Sequence, residues 1–130
     1  MAPNTELYDD IIKESKESKE SKESKEKSIL QIAHNLVHSN RGEDYGHPLD
    51  DFSKTAAFWS IYKGVRFSPE DVALMMVFVK VSREMNKHKE DNLVDIAGYI
   101  ETLSMVIEEK KYRNEILSTT FAAIEDVLPT

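Results

Sequence analysis

Two pairs of opposite charges sit inside an apolar stretch of this chain. Lys80 and Arg83 lie in one helical pattern, and Asp91 and Asp95 in the next, within residues 68–102. Lys80, Arg83 and Lys87 recur at i, i+3 and i+7, and Asp91 and Asp95 at i and i+4, so each set shares one helix face. A turn centred near residue 88 places residue 83 across from about 93, and residue 80 across from about 96 or 97. The cations then confront the acids near the open end of a helical hairpin. One reading is a pair of interhelical salt bridges that pin the register, a kind of contact often worth little. The other is a pocket in which Lys80 and Arg83 hold phosphate while the carboxylates orient them or grip hydroxyls. Arginine offers a planar fork matched to phosphate, and lysine a point charge.

A second group of ligand-type residues lies upstream. Residues 41–48 read R-G-E-D-Y-G-H-P, a loop on its glycines and proline. It offers a guanidinium (Arg41), a phenol (Tyr45) and an imidazole (His47). Its glycines let backbone approach a ligand. Tyr45 and Trp59 are candidates to stack on a base, with Arg41 adding a phosphate contact. Gly98-Tyr99 lies inside a helical pattern, where glycine costs about 1 kcal/mol against alanine. Such a glycine marks close approach by a second helix or by a ligand. His34 and His38 stand at i, i+4, but no third metal ligand is evident from spacing, and the four histidines show no zinc pattern. There is no cysteine, no G-x-S-x-G and no P-loop, so no nucleophile presents itself.

The elements that must carry these groups are helical throughout. Ser28 is a natural N-cap, and Ile29, Ile32, Ala33, Leu36 and Val37 form one face behind it. A helix follows from Leu49 through Phe52, Ala56, Trp59 and Tyr62 and ends at Gly64. Ser68-Pro69-Glu70-Asp71 is a strong start signal. The helix it opens runs to about Met85 and is apolar nearly all round from Val72 to Val79, which predicts the central, most buried helix. After the turn at 86–90, Leu93 to Ile107 form another face. The charged run 108–113 then predicts a break before a last amphipathic helix that Pro129 stops. Apolar residues recur at 3.6 rather than 2, so the expected fold is all-α: four or five helices around a central antiparallel hairpin. The organisation expected is an N-terminal segment, residues 1–27, and a helical-bundle domain, residues 28–130. The segment carries K-E-S repeats from Lys13 to Ser24 and reads as a solvated helix or a tether.

The chain has 130 residues and a formal net charge of −7. That charge argues against duplex nucleic acid as a partner, though one cationic cluster suffices for a small phosphorylated ligand. No stretch approaches the roughly 18 apolar residues of a membrane span, and the N-terminus lacks a signal-peptide pattern. The absence of cysteine fits a reducing cytoplasm. A hairpin this apolar predicts a homo-oligomer.

Taken as a set, R-x-x-x-Y-G-x-P (Arg41, Tyr45, Gly46, Pro48), the aromatic helix with Phe52 and Trp59, S-P-E-D-V, K-x-x-R (Lys80, Arg83) and D-x-x-x-D-x-x-G-Y (Asp91, Asp95, Gly98, Tyr99) resembles a family of uncharacterised phage and prophage proteins. The resemblance covers about residues 29–107. That family looks related to the MazG-like all-α NTP pyrophosphohydrolases, helical oligomers that use Mg²⁺. Their motif, E-E-x-x-E followed by E-x-x-D, is incomplete here. Glu70-Asp71 lacks the third acid, and Asn92-Leu93-Val94-Asp95 keeps only its aspartate. By hairpin geometry, Lys80 and Arg83 would occupy the ligand-facing turn. The resemblance therefore implies capture of a phosphate-bearing nucleotide without hydrolysis and without a cofactor, as a sponge for a host antiviral signal in the cytoplasm of an infected or lysogenic bacterium. The ligand set is Arg41, Tyr45, His47, Trp59, Lys80, Arg83, Asp91, Asp95 and Tyr99. The alternative is an Mg²⁺-dependent pyrophosphohydrolase with the metal on Asp71, Asp91 and Asp95. A third reading is a structural protein that assembles through the K-E-S arm and the C-terminal helix.

Overall fold

Local signals set where most helices begin. Ser28 and Ser68 each form a reciprocal capping box, with Gln31 and Asp71 respectively. His47 caps the helix that Pro48 opens, and Gly64, at φ +65°, closes it in the left-handed region that suits glycine. The computed structural model describes residues 5–23 and 26–129, without the side chains of 18–23. Its elements are α1 (Thr5–Glu23), α2 (Ile29–His38), α3 (Arg41–Tyr45), α4 (Pro48–Lys63), α5 (Pro69–Asn86) and α6 (Glu90–Val127). No strand occurs among the described residues, so the chain is all-α as its periodicity predicts.

The arrangement departs from expectation in four respects. The stretch 41–48 is not all loop, because Arg41–Tyr45 forms the short α3. The break expected at 108–113 is absent, and α6 runs for 38 residues. The charged run contains no glycine or proline, and Glu, Lys and Arg are good helix formers. Three of its charges are also paired: Arg113 Nε donates to Glu109 (2.8 Å), and Lys110 Nζ donates to Glu70 on α5 (2.6 Å). Charge density there marks a contact between helices, not a helix end. Thirdly, α5 is not the most buried helix. Val72 and Ala73 are buried, but Leu74, Phe78, Val81 and Met85 are exposed, so its all-round greasiness serves two faces and only one is covered. Fourthly, the charges of the hairpin lie beside its connecting turn and not at its open end, since Lys80 is near the end of α5 and Asp95 near the start of α6.

α5 and α6 form the antiparallel hairpin. Glu70, at the start of α5, meets Lys110, and Lys80, near its end, meets Asp95. α2 packs on α6, α4 packs on both hairpin helices, and among the described residues α1 packs on none of the others. The core is Ala33 and Val37 from α2, Leu49 and Ala56 from α4, Val72 and Ala73 from α5, and Val94 and Val106 from α6. Val72 and Val106 are fully buried, each contributing about 1.5–3 kcal/mol. No helix among the described residues is long and apolar enough to cross a membrane.

The hairpin turn is organised by Glu84. Its carboxylate accepts from the Asn92 side chain (2.9 Å) and the Lys89 backbone N–H (3.1 Å), and it contacts the His88 ring. These bonds, Asn92 and His88 foremost, hold the Glu84 carboxyl down to about 2. Asn92 is a buried polar residue, and Glu84 accepts from its side-chain amide.

Candidate functional site

The segment Asn40 to Pro48 carries the chain from α2 through the short α3 into α4. α3 stops at Gly46, whose φ of +75° only glycine adopts without strain, and whose N–H donates to the Gly42 carbonyl (3.1 Å). His47 Nδ1 then accepts from the Leu49 N–H (3.1 Å), which leaves the ring proton on Nε2, 3.9 Å from the Glu109 carboxylate. Glu109 in turn holds Arg113, and Arg113 grips Asp50 with both terminal nitrogens (2.6 and 3.0 Å). The bidentate contact keeps the Asp50 carboxyl below the usual carboxylate range and raises the already basic guanidinium. The start of α4 is thereby tied to α6, and His47 with it.

A cleft of about 390 Å³ lies between α2, α3, the start of α4 and the first half of α6. Arg41, Tyr45, His47, Phe52, Tyr99 and Thr102 line it, with Val37, Pro48 and Met105 adding apolar surface and Asp51 an acid. Phe52 and Tyr99 lie ring to ring at 6.5 Å, tilted by 34°. A smaller cleft of about 130 Å³ adjoins it, sharing Val37, Arg41 and Tyr99 and adding Asp95 and Gly98. Gly98 is where α2 comes close: a Cβ there would stand 3.6 Å from a Val37 methyl. That is ordinary contact distance, so Gly98 permits a close approach without being indispensable to it.

Arg41, Tyr45, His47 and Tyr99, drawn from two distant parts of the sequence, meet in the larger cleft. Among the described residues the Arg41 guanidinium has no hydrogen-bond or ion-pair partner, and Tyr45 is exposed. Of the remaining predicted ligand residues, Asp95 lines the adjoining smaller cleft, and Trp59, Lys80, Arg83 and Asp91 line neither. Lys80 pairs with Asp95 (2.6 Å), so the closest charges of the hairpin face each other. Arg83 and Asp91 are exposed and line neither cleft. Trp59 is half-buried, its ring edge-on to Phe67 at 6.0 Å, and also lines neither. Phe52 was legible as an apolar helix position, but nothing in its spacing marks it as a wall of a cleft. Thr102, Met105 and the Asp50–Arg113–Glu109 network gave no local signal at all, since each depends on which helices become neighbours.

The three aspartates proposed for Mg²⁺ do not fit the ion. Asp71 sits in the first turn of α5, where it accepts from the Ser68 N–H (2.8 Å) and its own N–H donates to Ser68 Oγ (3.1 Å). The Ser68 N–H, aided by the hydroxyl, holds its carboxyl below the usual range. Asp91 and Asp95 lie at the other end of the hairpin. Asp95 pairs with Lys80, nine residues beyond Asp71 along α5, roughly 13 Å of helix rise, and Asp91 lies a further turn towards the connection. A divalent ion with oxygen ligands about 2.0–2.6 Å away cannot be shared across that span.

Residues 28–107 match the family described as "Domain of unknown function (DUF6378)". The chain is 40% identical over 89 residues to the Gene 55 protein of Mycobacterium phage L5, covering 65% of this chain and 57% of that protein. It is 34% identical over 84 residues to the Gene 55 protein of Mycobacterium phage D29, covering 64% of this chain and 56% of that protein. The chain therefore spans little more than half the length of these curated relatives. No solved structure matches it. The match takes in α2 to α5 and the hairpin half of α6, so both walls of the cleft lie within it, and the chain belongs to the DUF6378 family.

Proposed function

We propose that the chain captures a phosphate-bearing nucleotide in the cleft between α3, α4 and α6 and holds it without hydrolysis. The observation that carries this reading is Arg41. Arg41 lines both clefts and its guanidinium is unpartnered among the described residues; Tyr99 lines both clefts with it and Tyr45 the larger. A cation with free donors suits phosphate, and flanking aromatic faces suit a base. The volume, about 390 Å³, is of the size that small-molecule sites take. Capture is favoured over turnover because Asp71, Asp91 and Asp95 do not converge on one ion. The relation to MazG-like pyrophosphohydrolases then lies in ligand class and helical architecture, not in a shared metal cage.

The biological role that follows is a sponge for a host antiviral signalling nucleotide, acting in the cytoplasm of an infected or lysogenic bacterium. The phage origin of the matched relatives supports that setting. A homo-oligomer belongs to the same reading. Phe58, Ile61 and Tyr62 on α4 and Phe78 and Met85 on α5 are 69–87% exposed, more apolar surface than a monomer of this size ordinarily leaves bare.

Native mass spectrometry after incubation with nucleotide mixtures tests the proposal. Retention of an intact nucleotide by the parent chain, weakened at least tenfold in Arg41→Ala, is expected. A tenfold loss corresponds to about 1.4 kcal/mol, close to the lower end of what one charge-assisted hydrogen bond contributes. Failure to retain any nucleotide, or release of a chemically altered one, overturns it.

A further inference from the structure

Spacing alone brings His34 and His38 onto one face of α2 without a third ligand. The fold supplies one from α6. His38 Nε2 stands 2.9 Å from Glu101 Oε1, and the His34 and His38 ring centroids are 4.4 Å apart. One donor atom from each of His34, His38 and Glu101 lies within 4.8 Å of the other two. It is the one such grouping of three metal-ligating side chains among the described residues. We propose that His34, His38 and Glu101 form a binding site for a divalent transition metal of the zinc class, clamping α2 to α6.

The chemistry of the donor set selects the ion. Two imidazole nitrogens and one carboxylate oxygen suit zinc and its first-row neighbours, whereas Mg²⁺ and Ca²⁺ take oxygen ligands. Three protein ligands leave a coordination position open to water or to an incoming group. Zinc–nitrogen bonds of about 2.0–2.1 Å put donors on one ion about 3.3–3.5 Å apart, so these side chains need close by about 1 Å or a little more. His38 and Glu101 are roughly 40% exposed at their side chains, and His34 is exposed, so all three are free to make that adjustment. The His38–Glu101 contact alone would be an ordinary surface ion pair, and it leaves His34 unexplained. Two adjacent imidazolium cations repel each other, while two neutral imidazoles share a metal. Glu101 is next in sequence to Thr102, which lines the larger cleft, and Val37, adjacent to His38, lines both. A bound ion would therefore brace two of the helices that form the cleft, α2 and α6.

The test uses the full chain without an affinity tag, stripped with chelator and then titrated with Co²⁺ and Zn²⁺. One Co²⁺ per chain is expected, with the d–d absorption of a four- or five-coordinate site that Zn²⁺ bleaches. Zn²⁺ should also raise the thermal midpoint. His34→Ala, His38→Ala and Glu101→Gln should each weaken binding at least tenfold, and His88→Ala, outside the cluster, should leave it unchanged. Circular dichroism confirms the helical content of each variant, and if one fails to fold, the other two carry the comparison. Absence of stoichiometric binding overturns the proposal. So does binding that survives both His34→Ala and Glu101→Gln.

Discussion

Lys80 Nζ lies 2.6 Å from the Asp95 carboxylate, with the lysine side chain the more buried of the two. This contact joins α5 to α6 just inside the turn and engages the cation that the sequence offers most readily to a phosphate. Lys80→Met leaves Asp95 partly buried without its partner. It should lower stability by about 1–2 kcal/mol, between the values typical of exposed and buried pairs. Adding Asp95→Leu should recover part of that loss. Nucleotide affinity should stay within about twofold of the parent in Lys80→Met, in contrast to Arg41→Ala. Chemical denaturation and calorimetric titration of the same variants separate the two effects, and a large affinity loss at Lys80 would move the phosphate site into the hairpin.

Acid should act on the turn through Glu84. Its folded-state carboxyl is held at about 2, below the ordinary glutamate value of 4.5. A lowered pKa means that the folded state binds the proton less tightly than the unfolded chain. The stabilisation is therefore complete above about 4.5 and is lost as pH falls through about 2. Glu84→Gln removes this titration while keeping the shape. The stability difference between parent and variant should be greatest near neutrality and shrink through that window. Urea midpoints collected across the acid range measure it, and a difference that does not change with pH would contradict the assignment.

Gly98→Ala should be tolerated and should stabilise the chain by about 0.5–1 kcal/mol, the usual helix-interior difference between the two residues. The added methyl meets only a Val37 methyl, at 3.6 Å. A loss of stability would show that α2 and α6 need to approach more closely than that contact implies.

The bare apolar face of α5 predicts its own test. Phe78→Glu changes a side chain that is 69% exposed and makes no core contribution in the single chain. If this face joins copies of the chain, the substitution should shift sedimentation toward monomer with little loss of helix. An unchanged sedimentation coefficient would remove the face from the assembly.

The capping boxes at Ser28 and Ser68, the stop at Gly64 and the helical period of the apolar residues are local, so the sequence by itself determined the all-α class and most helix starts. It also marked Arg41, Tyr45, His47 and Tyr99 as ligand-type residues, because their chemistry is intrinsic to the side chain. Tertiary structure decided what each group faces. It paired Lys80 with Asp95, left Arg83 and Asp91 outside both clefts, set Trp59 against Phe67 and separated Asp71 from the other aspartates by half of α5 or more. It also turned the charged run 108–113 from an expected break into the continuation of α6. The physical reason is common to all of these. Helix propensity and capping act over a few residues, whereas an ion pair, a cleft wall or a three-residue metal cluster is set by which helix faces pack together, and that follows from the burial of the whole core.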